Sequence, residues 1–124
     1  MCFYDWNNIR PSEVTATYLR KVAVGENLTV ARIEVKEGSV THLHSHNNEE
    51  VILVLKGAWR FNLAGREVTI GPNQMLLIPP AVEHSSEALE DTVALDICTP
   101  ARGDWTSGED RTLHDDPDQY LWAV

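Results

Sequence analysis

Between Gly38 and Gly57 the sequence reads GSVTHLHSHNNEEVILVLKG, and no other stretch constrains the fold as tightly. Three of the five histidines, His42, His44 and His46, stand at alternate positions; Glu49 and Glu50 follow, then the apolar run Val51 to Leu55. A glycine bounds each end. Alternate residues of a strand project to the same face. His44 and His46 are therefore predicted side by side on one strand, and Glu50 on one face with Ile52 and Val54. Imidazole binds Zn, Ni, Fe and Cu, and a nearby carboxylate gives a mixed nitrogen and oxygen donor set. The stretch reads as a metal site on a β-scaffold.

The flanking sequence supports that scaffold. Thr15 to Val24 is rich in β-branched and aromatic residues and reads as one strand. Leu28 to Lys36 puts Thr29, Ala31, Ile33 and Val35 on one face and Arg32, Glu34 and Lys36 on the other, a half-buried strand. Trp59, Phe61 and Leu63 alternate with polar residues, and Ala64-Gly65 is a hairpin signal before Val68 and Ile70. Shorter strands are predicted over Met75 to Ile78, stopped by Pro79-Pro80, over His84 to Ala88, and over Thr92 to Thr99. No longer window shows a helical period. The chain reads as all-β, a single domain spanning residues 1–124.

Composition excludes several classes of partner. With 124 residues and a formal net charge of -9, the chain gains nothing from counterion release on a nucleic acid. The same charge disfavours an anionic membrane surface, and no apolar run reaches the ~18 residues of a membrane span. The first residues, MCFYDWNNIR, lack the basic and apolar regions of a signal peptide, so the cytoplasm is the expected compartment. Cys2 and Cys98 make neither a disulfide framework nor a zinc pattern. Phe3, Tyr4 and Trp6 are expected to anchor the N-terminal arm. The acidic tail from Pro100 ends in Tyr120-Leu121-Trp122-Ala123-Val124, an apolar end expected to dock on its own barrel or a partner subunit.

The spacing Gly38, His44, His46, Glu50, Gly57 resembles the first motif of the cupins, with every fixed position present. The run Asn73 to Ala88 resembles their second motif through Pro79 and His84; Asn73, Ala81 and Ala88 replace its two glycines and its asparagine. The resemblance implies a double-stranded β-helix, or jelly-roll, barrel with its core at about 15–100. It also implies four metal ligands, His44, His46, Glu50 and His84, around one divalent transition metal (Ni, Zn, Fe, Mn or Cu). Three imidazoles and one carboxylate leave one or two coordination positions open. His42 is expected at the pocket rim, Glu49 on the solvent side, and His114 in solvent.

The segment Asp96-Ile97-Cys98-Thr99-Pro100-Ala101-Arg102-Gly103-Asp104-Trp105 resembles that of the KdgF-type cupins, with Cys98 where the family usually has an aromatic. That family promotes conversion of 4,5-unsaturated monouronates to linear keto sugars. The resemblance puts Asp96 and Arg102 at its functional positions. Asp96 shares the parity of Ala94 and Cys98, so an inward Ala94 brings it beside the metal as a general acid/base. Arg102 can fork a substrate carboxylate or pair with Asp104 at the surface. The expectation is a metal-dependent isomerase or tautomerase acting on a carboxylated sugar. A metal-dependent dioxygenase and a non-catalytic small-molecule sensor remain as alternatives. Val93, Leu95 and Ile97 form an apolar opposite face, which points to a homodimer.

Overall fold

A computed structural model of the chain describes residues 2–114. Its strands are β1 (Ser12–Thr15), β2 (Tyr18–Val24), β3 (Thr29–Val35), β4 (Val40–His44), β5 (Glu49–Lys56), β6 (Trp59–Leu63), β7 (Arg66–Ile70), β8 (Met75–Ile78), β9 (His84–Ala88) and β10 (Thr92–Thr99). The larger sheet runs β1-β2-β3-β10-β5-β8 and the smaller β4-β9-β6-β7. Neighbours pair antiparallel in both. The two sheets close on each other as a jelly roll.

The period of two decides what lies inside. Ala31, Ile33 and Val35 of β3, Ile52 and Val54 of β5, and Ala94 and Cys98 of β10 are buried, and they meet Trp59 and Phe61 of β6. Each large apolar side chain so buried contributes roughly 1.5–3 kcal/mol. The hairpin between β6 and β7 turns on Ala64 (φ 47°) and Gly65 (φ 83°), both left-handed, which matches the twist of the paired strands. At Gly57 (φ +99°) a Cβ would come within 2.4 Å of the Asp91 carbonyl, so only glycine fits beneath the crossing chain.

Three sequence expectations change. The strand read over Thr15 to Val24 is two strands, β1 and β2. Thr15 Oγ1 accepts the Thr17 N–H at 3.0 Å and so bends the chain into a turn. The N-terminal arm is tied by polar contacts, the Tyr4 hydroxyl on the Val24 carbonyl and Lys21 Nζ on the Trp6 carbonyl, while Phe3 is 87% exposed. Helix also occurs: α1 (Gly103–Ser107) and a 3-10 helix (Glu109–Leu113), each too short to give a periodic signal. His114 then bridges to Thr41 on β4. Residues 103–114 thus fold back from the end of β10 to β4, with Trp105 packed into the core. The expected docking of Tyr120 to Val124 lies outside the described residues. No helix among the described residues is long and apolar enough to cross a membrane.

Candidate metal centre

Four side chains converge at one end of the barrel. His44 closes β4, His46 lies in the loop just after it, Glu50 is the second residue of β5, and His84 opens β9. His44 and His46 do not share a strand, because β4 ends at His44. The loop nevertheless returns His46 to the site, since the Ala81 N–H donates to the His46 carbonyl at 2.7 Å. Ala81 (φ 65°) and Asn73 (φ 66°) both hold left-handed backbone, the conformation that favours glycine. One ring nitrogen from each of His44, His46 and His84 lies within 4.8 Å of the others. Glu50 Oε1 is 3.1 Å from His46 Nε2 and 3.5 Å from His84 Nε2.

Each imidazole is oriented the same way. Nδ1 of His44 faces the His42 carbonyl at 2.7 Å, Nδ1 of His46 the Asn48 carbonyl at 3.2 Å, and Nδ1 of His84 the Val82 carbonyl at 2.8 Å. A carbonyl only accepts, so each Nδ1 donates, and the Nε2 atoms, two of which face the Glu50 carboxylate, are the ones left for a metal to take. Such outer hydrogen bonds fix tautomer and ring orientation in metal sites. Burial pushes His44 down to about 4, against a smaller opposing effect of its backbone hydrogen bond, so its ring is neutral at pH 7, the form a metal requires. Three imidazole nitrogens and a carboxylate are a donor set that fits a divalent transition metal.

Asp96 sits behind Glu50. The register places Asp96 opposite Ile52 and Glu50 opposite Cys98, and the carboxylates of Glu50 and Asp96 lie close to the Cys98 thiol. Burial raises the Asp96 carboxyl well above its ordinary range, and the Glu50 charge raises it further, against Arg102 and Arg20. Burial also works against the Glu50 charge, but hydrogen bonds from Asp96, His46 and His84 hold Glu50 well below the usual range. The pair therefore keeps its proton on Asp96. Burial likewise raises the Cys98 thiol, with the charges of Asp96 and Glu50 adding to it, so it is a packed thiol and not a thiolate.

Arg102 is buried, not a surface residue. Its Nε donates to Asp104 Oδ1 at 2.6 Å, and its guanidinium lies 5.0 Å from the centre of the Trp105 ring. It lines a cavity of about 40 Å³ with His44, Glu50, His84 and Asp96. His42 is not at this cavity. A bulge between Thr41 and His44 shifts the parity, so Thr41 and His44 line the cavity and His42 is exposed. His114 is the larger correction. It is 3% exposed, with Nε2 3.3 Å from Asp110 Oδ2 and Nδ1 3.3 Å from Thr41 Oγ1. The sequence reading gave no role at the site to Tyr18, Arg20, Asp110 or, beyond its place in the Asp96–Trp105 segment, Trp105, all of which line the same cavity. One signal for Arg20 was present: it shares the parity of Tyr18 and Val22, which puts a cation on the inner face of a strand.

Residues 31–98 match the family model described as "Cupin domain". No curated protein matches the sequence. Among solved structures, KdgF from Halomonas sp. superposes with a TM-score of 0.79 at 24% identity, covering 85% of this chain and 98% of that one. An RmlC-like cupin from Shewanella frigidimarina gives 0.78 at 20% identity, over 83% of this chain and 94% of that one. A Bacillus subtilis oxalate decarboxylase with Mn(II) centres gives 0.69 at 19% identity over 78% of this chain, which spans only 29% of that protein.

Proposed function

This chain belongs to the cupin family, and on that premise we propose that it is a metal-dependent isomerase or tautomerase that opens the ring of an unsaturated uronate-type sugar. One observation carries the reading: His44, His84, Glu50, Asp96 and Arg102 line one cavity, and a ring nitrogen of His46 lies within 4.8 Å of those of His44 and His84. The similarity to KdgF supports the substrate class. In this reading His44, His46, Glu50 and His84 hold one divalent transition metal. Ni, Zn, Fe, Mn and Cu all suit such donors, and the metal supplies Lewis-acid polarisation of a hydroxyl or carbonyl oxygen when bound.

The remaining work falls to the chain's own side chains. Ring opening removes a proton from the anomeric hydroxyl, and tautomerisation returns one to a carbon of the former double bond. Atoms balance without an oxidant. Asp96, a buried carboxyl that keeps its hydrogen beside Glu50, is placed to give that proton to C4 as the bond between C1 and the ring oxygen breaks and the C5 carbonyl forms; the carboxylate so left takes the anomeric proton as the C1 carbonyl forms, which restores the acid. Arg102 orients the substrate carboxylate. Asp104 takes one edge of its guanidinium and leaves the other for the ligand. The apolar outer face of β10 is covered by a second copy of the chain, giving a homodimer.

The test is turnover of a 4,5-unsaturated monouronate by Asp96→Asn and Arg102→Met, with metal content measured in parallel. Asp96→Asn is expected to lose at least about 100-fold in kcat, the lower range for a positioned acid/base, while retaining its metal. Arg102→Met is expected to lose mainly in KM. Full turnover in both variants would sink the assignment. Oxygen consumption coupled to turnover would replace it with a dioxygenase.

A further inference from the structure

A cavity of about 40 Å³ holds a few waters, each needing roughly 10–15 Å³, and no sugar acid. Residues 103–114 carry Trp105, Asp110, Leu113 and His114 into its lining. One contact ties this segment to the barrel wall through charge. Arg20, on the inner face of β2, donates from Nη1 to Asp110 Oδ2 at 2.6 Å and from Nη2 to Asp110 Oδ1 at 3.1 Å, a bidentate fork across 90 positions of sequence. Both side chains are 2% exposed. Arg20 Nη2 also reaches the Trp105 carbonyl at 3.2 Å, and its guanidinium lies 5.2 Å from the centre of the Trp105 ring. Arg20 Nε is the buried side-chain nitrogen without a hydrogen-bond partner among the described residues. The site therefore holds one carboxylate and retains an unused donor.

We propose that Arg20 is a second carboxylate-binding subsite and that Asp110 is its built-in occupant: a ligand carboxylate replaces Asp110 on the Arg20 guanidinium as residues 103–114 swing off the barrel mouth. This rests on the reading that the ligand is a sugar acid. Opening breaks the Arg20 contact because Arg20 belongs to the wall. The Arg102–Asp104 pair stays at the base of the segment, where the Arg102 N–H donates to Thr29 Oγ1 on β3 at 3.4 Å, and does not tie the far end of the segment to the wall. A neutral sugar cannot drive the exchange, because it would leave a guanidinium buried without its counter-charge. An acid can, because one carboxylate replaces another in the same fork. The subsite thus selects acids over neutral sugars at the step that admits them, before the single carboxylate passes to Arg102.

The test uses the metal-loaded protein and two saturated, unreactive probes, D-galacturonate and its neutral counterpart D-galactose. Chymotryptic cleavage after Trp105, buried when the segment is closed, is expected to accelerate with galacturonate and not with galactose. Equal acceleration by both, or none by either, would overturn the proposal. Asp110→Asn removes the internal competitor, and its half-saturating galacturonate concentration, read by thermal unfolding, is expected to fall about tenfold. Equal affinity in wild type and Asp110→Asn, or the same gain in the double variant Arg20→Met/Asp110→Asn, would also overturn it. Should Asp110→Asn not fold, the cleavage experiment on wild type decides alone. Neither probe carries the reactive double bond, so loss of the isomerase reading through failed turnover and loss of this proposal through failed exchange are separate results.

Discussion

At the scale of single residues, the donor set is held from behind. Three backbone carbonyls take the Nδ1 protons of His44, His46 and His84, and no side chain is spent on that task. Removing an imidazole is therefore a local change. His84→Ala is expected to lower metal affinity by more than the roughly 10–100-fold typical of a lost outer partner. Equilibrium dialysis measures it, and unchanged affinity would contradict the set. Acid acts on the same residues. Burial holds His44 down to about 4, below the ~6.5 of an unfolded histidine. On acidification the unfolded chain takes the proton first, so the stability His44 contributes to the metal-free protein is complete above about pH 6.5 and is lost as pH falls toward 4. Urea midpoints between pH 7 and 4 should fall; a rise would contradict the burial of a neutral ring. The residues legible in the sequence are those on regular alternation: Glu50, His84 and Asp96 point inward as their parity requires. His42 misled because a bulge resets the count between Thr41 and His44. His114 misled because an acidic composition says nothing of the buried Asp110 and Tyr18 that receive it.

At the scale of elements, β5 and β10 do two things at once. Their inner residues build the site, and their outer residues make an apolar face. Leu53 pairs with Leu95 and Val51 with Ile97, then Met75 with Leu53 and Leu77 with Val51 on the edge strand β8. Met75 and Leu77 are 63% and 62% exposed, where an edge strand ordinarily carries polar residues. In the proposed homodimer a second copy would present the same face in return. Sedimentation is expected to give twice the 13.9 kDa chain mass, and Leu77→Glu to reduce it to one. A monomeric wild type would remove the homodimer. The strands themselves were readable, His84–Ala88 and Thr92–Thr99 to the residue, because Pro79-Pro80, the acidic Glu90-Asp91 and Pro100 punctuate them. The segment over 103–114 was not, since two five-residue helices bury one face too short to show a period.

At the scale of the whole molecule, charge is sorted by depth. A chain of net charge -9 keeps Arg20 and Arg102 buried beside its donor set. Each is neutralised by an aspartate of the segment that covers it. Hydrogen bonds from His114 and Arg20 outweigh burial and hold the Asp110 carboxyl well below its ordinary range, so the cover stays charged and latched at neutral pH. With a divalent ion held beside Glu50, the proposed site would be brought to neutrality by a single anionic ligand such as a uronate. The most direct measurement strips the protein of metal, restores one divalent ion at a time, and follows the ultraviolet absorbance of a 4,5-unsaturated monouronate. Loss of absorbance only in the reconstituted protein, stoichiometric with one bound ion per chain and without oxygen uptake, is the expected result. A fully metal-loaded protein that leaves the absorbance unchanged, or a metal-free protein that removes it equally fast, would contradict the assignment.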